Sequence, residues 1–150
     1  MFTCSKTYAE VPFAHRQHRH GGHCAFIHGH NWTFTFTFGC HTLDENGFVV
    51  DFGDLKYIRR WFDENLDHAC VFNRDDPERE KITAAAPAAY KVYLVDSCSA
   101  EGLAKHLFEV VDALVKRETQ GRVFVVEVRV DEDARNSATF SLRSSGIRHQ

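Results

Sequence analysis

The segment "NWTFTFTFGC", residues 31–40, alternates aromatic and threonine side chains without a slip. In an extended chain Trp32, Phe34, Phe36 and Phe38 fall on one face and Thr33, Thr35 and Thr37 on the other, because successive side chains point to opposite sides. A helix cannot hold this pattern, since its 3.6-residue period would scatter the phenylalanines around the axis. β-Branched and aromatic residues also favour strands. The chain must therefore contain a sheet with one aromatic face to bury.

Other elements follow from that anchor. "HTLDENG", 41–47, carries turn chemistry, and "FVVDF", 48–52, is expected to resume as a short paired strand. Phe2–Tyr8 is expected to add an antiparallel strand. From Phe52 the apolar residues recur every three or four positions (Leu55, Ile58, Phe62, Leu66), which predicts an amphipathic helix over roughly 52–65 with Asp51 as its cap. The stretch 66–81 reads as irregular, the Ala/Pro-rich 84–89 as loop, and "YKVYLVD", 90–96, as a short strand. Leu103, Leu107, Val110, Val111, Leu114 and Val115 mark a second helix over about 100–117, capped by Ser99 and with Glu101 at its positive end. Two closing strands are expected in 122–133 and 138–145. The sum is one α+β domain over residues 1–150, an antiparallel sheet with two helices packed on one face. No obvious element of the chain covers the threonine face, which points to homo-oligomerisation.

Composition excludes several function classes. With 43% hydrophobic and 26% charged residues over 150 positions the chain can bury a real core. A net charge of −3 leaves no electrostatic footprint for nucleic acid or anionic lipid. The N-terminus lacks the apolar core of a signal peptide, and no window reaches membrane-spanning length. Five cysteines (Cys4, Cys24, Cys40, Cys70, Cys98), an odd set with no CxxC spacing, argue against a disulfide framework and for a cytoplasmic location.

The chemistry concentrates in "HRQHRHGGHCAFIHGHNW", residues 15–32, which holds six of the ten histidines. If the strand extends back to His28, then His28 and His30 share the face of Trp32, where two imidazoles can reach one ion. Catalytic zinc takes three protein ligands and keeps one position open. The third could be His15, His18, His20 or His23; His15, at the end of an apolar run, is the one best held rigid. The lack of carboxylates in 11–30 disfavours calcium or magnesium and favours Zn2+. Cys24 admits three readings: a fourth zinc ligand that would close the site, an inert buried thiol, or an acid/base group beside a cation. "LDH", 66–68, sets Asp67 beside His68, a pairing in which a carboxylate can orient a proton-shuttling imidazole.

Taken in order, His15, "CAFIHGHNW" (24–32), "GFVVDFGDLK" (47–56), "LDH" (66–68), "SAEGLA" (99–104) and "EDARNSATF" (132–140) resemble the 6-pyruvoyl-tetrahydropterin synthase family, and more closely its 6-carboxytetrahydropterin synthase branch, which serves queuosine and 7-deazapurine synthesis. The resemblance implies a tunnelling fold (T-fold) whose subunits assemble into barrels, commonly hexamers, with active sites between subunits. It implies that His15, His28 and His30 hold zinc, that Cys24 is the general base, and that Asp67 and His68 are proton-relay partners. It implies that Glu132 anchors the pterin ring and that Ser99 offers its hydroxyl to substrate. The implied reaction turns 7,8-dihydroneopterin triphosphate into a 6-carboxy product, acetaldehyde and triphosphate. A pyruvoyl-type elimination, cleavage of another dihydropterin, and a non-catalytic zinc-stabilised pterin-binding module are the alternatives. For the triphosphate, Lys56, Arg16 and basic residues of a neighbouring subunit all stand open.

Three stretches depart from the family pattern. Where the family writes "ETPTSxA" this chain has "EDARNSA", 132–138, placing Asp133 beside the anchor. An extra carboxylate there is expected to weaken binding or alter what is bound. "PTxE" becomes Cys98-Ser99-Ala100-Glu101, and Val11 stands at a phenylalanine position.

Overall fold

In a computed structural model, which describes residues 1–142, the aromatic alternation forms the centre of the fold. Strand β1 spans Phe2–His15 and β2 spans His28–Cys40, and they pair antiparallel along nearly their whole lengths. Trp32, Phe34, Phe36 and Phe38 are fully buried, each removing enough apolar surface from water to contribute roughly 1.5–3 kcal/mol. Helix α1, Lys56–Asn65, lays Phe62 flat against Phe34 at a centroid distance of 5.0 Å. Strand β3 is Cys70–Asn73, α2 Arg79–Ala84, β4 Val92–Val95, α3 Ala100–Glu118, β5 Val123–Asp131 and β6 Ser137–Ser141.

The six strands make one sheet in the order β4-β3-β1-β2-β5-β6. Its larger part, β1-β2-β5-β6, is antiparallel as the alternation implies. The remainder is parallel: β3 runs beside β1 and β4 beside β3. Within 66–81, expected to be irregular, "CVFN" is buried at all four positions and so shows no alternation, the usual signature of a parallel strand. The parallel step from β3 to β4 needs a crossover, and the short helix α2 lies within it.

A further difference has a local cause. "FVVDF" is not a strand. Asp44 Oδ1 accepts from the backbone N–H of Asn46 and of Phe48, curling the chain. Val49 and Val50 then plug the core from a bend, and Asp51 accepts from Gly53 N to start the helical turn Phe52–Leu55. On the other side of the sheet Ser5 pairs with Thr37 and Thr7 with Thr35 through exposed hydroxyls. No helix of the described residues is long and apolar enough to cross a membrane.

Candidate active site

The register of β1 and β2 assembles the imidazoles. His15 stands opposite His28, and Phe13 opposite His30. A bulge between Tyr8 and Val11, with Glu10 at φ 58°, shifts the phase of β1. Before it Tyr8 faces the core; after it Val11, Phe13 and His15 do. Without that extra residue His15 would turn to the opposite face, away from His28 and His30. Trp32 floors the cluster, its ring 5.0 Å from that of His15 and 5.2 Å from that of His30.

Hydrogen bonds fix which nitrogens face inward. His15 Nδ1 lies 2.7 Å from the Cys98 carbonyl oxygen, and His28 Nδ1 lies 2.7 Å from that of Phe26. A carbonyl only accepts, so each Nδ1 carries a proton, and with both rings neutral, as metal ligation requires, both Nε2 atoms present lone pairs. Those two atoms are 3.2 Å apart, a repulsive arrangement unless a cation lies between them. Nitrogens bound tetrahedrally at the ~2.0–2.1 Å of imidazole–zinc bonds would stand about 3.3 Å apart. His30 Nε2 is buried without an aligned hydrogen-bond partner, although Glu132 Oε1 is 2.9 Å away. His15, His28, His30 and Glu132 together offer ligand atoms all within 4.8 Å of one another. Burial pushes the His15 imidazole down to about 4, the bond to Cys98 opposing this and His28 and His30 adding to it. The ring is therefore neutral at pH 7, as a ligand must be. The donor set fits a nitrogen-preferring divalent cation.

A cavity of about 490 Å³ opens onto the cluster. Cys24, in the short helical turn His23–Ala25, lines it but is not among the four grouped ligand atoms. Ser99 and Glu101 form part of the wall at the start of α3. Ser99 Oγ accepts from Gly102 N and lies 3.0 Å from Ser97 Oγ. Only glycine fits at 102, where a Cβ would sit 2.3 Å from the Ser97 carbonyl oxygen. Cys98, a departure from the family pattern, is fully buried. Its backbone serves the site: the carbonyl holds His15 and the N–H donates to Asn73 Oδ1 at 2.7 Å.

Asp67 and His68 form the expected pair, with His68 Nδ1 2.7 Å from Asp67 Oδ1, but neither lines this cavity. They sit on the turn before β3, His68 with φ 60° and a side chain 81% exposed. The remaining histidines separate. His20 lines the cavity and accepts from Gly22 N. His18 packs against Asn73, its Nδ1 3.2 Å from Nδ2 of that residue, and His23 is exposed on its turn.

Asp133 does not intrude on the cavity. Its Oδ1 accepts from the N–H groups of both Arg135 and Asn136 at 2.7 Å, bonds that hold its carboxyl below the usual carboxylate range. Arg16 is not available to substrate: its guanidinium is committed to buried Asp76 and to Glu78. Gln17, Glu101, Arg135, Asn136 and Ser137, to which the sequence assigned no role in the site, also line the cavity. Their only signal was proximity to His15, Ser99 and Glu132 along the chain.

Comparison with known proteins agrees with this geometry. The family model for 6-pyruvoyl tetrahydropterin synthase matches residues 4–143. A protein of Rickettsia conorii named 6-carboxy-5,6,7,8-tetrahydropterin synthase is 31% identical over 108 residues, covering 71% of this chain and 78% of its own. One of the same name from Aquifex aeolicus is 32% identical over 124 residues, covering 78% and 75%. Among solved structures, an uncharacterised protein of Wolinella succinogenes superposes with a TM-score of 0.80 at 19% identity, over 95% of this chain and 98% of that one. The 6-pyruvoyltetrahydropterin synthase of Plasmodium vivax does so at 0.65 and 18%, over 93% and 98%. These likenesses match the curled sheet with helices on one face that the T-fold requires. The chain belongs to the 6-pyruvoyl tetrahydropterin synthase family.

Proposed function

We propose that the protein is a zinc-dependent lyase that converts 7,8-dihydroneopterin triphosphate and water to 6-carboxy-5,6,7,8-tetrahydropterin, acetaldehyde and triphosphate, in queuosine and 7-deazaguanine synthesis. Relatives bearing the name of that enzyme support the chemistry. The observation that carries it is the pair of bare Nε2 atoms, 3.2 Å apart, on a cavity that also holds Cys24 and Glu132.

His15, His28 and His30 would hold the zinc, which when bound polarises oxygens of the substrate side chain. Glu132 accepts the parallel N–H donors of the 2-amino-4-oxo pterin edge, a bidentate match for a carboxylate. Cys24 stays off the metal and takes a side-chain proton. Ser99 fixes the first turn of α3 against the substrate. His68, oriented by Asp67, relays protons in the cavity of a neighbouring subunit, which accounts for its exposure and for its absence from the cavity that holds its own chain's Cys24; within its own chain it shares only a separate pocket with His30. Exposed Phe26 and Ile27 beside the site support a subunit contact there, within a homo-oligomer for which a hexamer is favoured. Five free thiols suit the cytoplasm.

The test is product analysis by mass spectrometry with dihydroneopterin triphosphate, with and without a chelator. Acetaldehyde and the 6-carboxy product are expected, and both vanish on chelation. Triphosphate release without acetaldehyde would make the enzyme a pyruvoyl-type eliminase. Pterin binding with no turnover would make it a binding module.

A further inference from the structure

The loop between β5 and β6 is built around one carboxylate. Glu132 N donates to the Asn136 carbonyl at 3.0 Å, closing the loop at its ends. Inside it Asp133 Oδ1 accepts both the Arg135 and Asn136 N–H groups, and Asp133 Oδ2 accepts from Asn136 Nδ2 at 2.9 Å. Three bonds from one side chain hold residues 135 and 136 in a single geometry, and both line the cavity beside Glu132.

Arg135 is the only lysine or arginine among the lining residues. The other nearby cation, Arg16, is committed to Asp76. On β5 Arg129 pairs with Asp131, whereas among the described residues Arg135 forms no ion pair. A guanidinium is always charged and presents a rigid fork of donors that matches phosphate oxygens. Glu132 on the same loop faces the three imidazoles, so one short segment offers an acceptor for ring N–H groups and a donor set for an anion. Both residues 133 and 135 depart from the "ETPTSxA" pattern, and here the Asp133 carboxylate holds the backbone N–H of Arg135.

We infer that Arg135 forms an anion subsite for the polyphosphate of the substrate, and that Asp133 is its positioning residue. This deepens the proposed function and rests on it for the identity of the substrate. The subsite would give this chain a phosphate contact within its own cavity, in addition to anything a neighbouring subunit supplies.

Inorganic triphosphate serves as the probe, by calorimetry on the zinc-loaded protein. Arg135→Ala is expected to weaken its binding roughly ten- to a hundredfold, the loss of a charge-assisted bond or two. In turnover it raises KM for dihydroneopterin triphosphate more than it lowers kcat, while binding of unphosphorylated dihydroneopterin does not weaken. Asp133→Ala weakens triphosphate binding in the same direction, and Asp133→Asn, which keeps the Oδ1 acceptor, restores most of it. Triphosphate bound equally by the parent and Arg135→Ala overturns the subsite, as does an equal loss of phosphorylated and unphosphorylated pterin. If the parent binds triphosphate through Arg135 yet yields no 6-carboxy product, the subsite stands and the functional reading falls.

Discussion

His15 Nε2 lies 3.2 Å from His28 Nε2, while the carbonyls of Cys98 and Phe26 take the proton on the far nitrogen of each ring. Backbone acceptors thus select the tautomers, leaving two lone pairs aimed at one point with buried His30 Nε2 beside them. Zinc content should follow this geometry. His28→Ala and His15→Ala are each expected to purify with less than a tenth of the parent's zinc by elemental analysis. An undiminished content in either removes that residue from the ligand set.

The same burial makes the metal-free protein acid-sensitive. An unfolded histidine titrates near 6.5, and His15 in the fold at about 4. Between these values the unfolded chain binds more protons, so stability is fully present above about pH 6.5 and falls as the pH drops towards 4. The loss reaches up to about 3 kcal/mol. Urea midpoints of the chelated protein at pH 7 and pH 4.5 measure it. His15→Asn should flatten the slope, and an unchanged slope would mean that other groups carry it.

Cys24 lines the cavity without joining the ligand group. A general base contributes typically 10²–10⁴-fold, so Cys24→Ala should lose turnover on that scale while retaining its zinc. Loss of zinc would make Cys24 a ligand, and turnover at the parent rate would remove it from the chemistry.

How much of this was legible in the sequence depends on where alternation survives. Residues 31–40 keep strict phase, so β2 could be read directly, and the common face of His28 and His30 followed on the condition, met here, that the strand extends back to His28. In β1 the bulge at Glu10 breaks the phase, so the readable alternation ends near Tyr8 although the strand runs to His15. β3 has no phase at all, being buried throughout. His15, His28, His30 and Cys24 stood out because their residue types are chemically marked, whereas Glu132, in an ordinary acidic strand end, was singled out only by the family resemblance. The Cys98 carbonyl and the Asp133-held loop were not legible: one is a backbone atom, and the other depends on a turn that no periodicity encodes.

The Asp67–His68 pair tests the assembly. Its side chains are joined at 2.7 Å yet do not line the cavity that holds their own chain's Cys24. If they serve a neighbour, then Cys24→Ala and His68→Ala are each impaired by roughly 10²-fold or more. Dissociating and reassembling a mixture of the two should then recover activity, because some sites pair an intact Cys24 with an intact His68. Recovery well above the sum of the two variants is the expected result. No recovery in verified mixed oligomers would place both residues in one subunit's site.

Asn73 controls His15 from two bonds away. It is 4% exposed, and its Oδ1 accepts the N–H of Cys98, whose carbonyl in turn fixes His15 Nδ1. Asn73→Ala orphans a buried N–H, at a cost of about 1–3 kcal/mol, and frees the Cys98 peptide to tilt. Groups that orient a metal ligand are worth roughly 10–100-fold in metal affinity, and that loss is expected here by competition with a chromophoric chelator at a temperature where the variant is folded. Val115→Ala, in the buried face of α3, supplies a comparison at similar destabilisation. If it weakens zinc binding as much as Asn73→Ala does, the effect is general loosening of the core. A loss confined to Asn73→Ala ties the amide to the ligand through the Cys98 peptide.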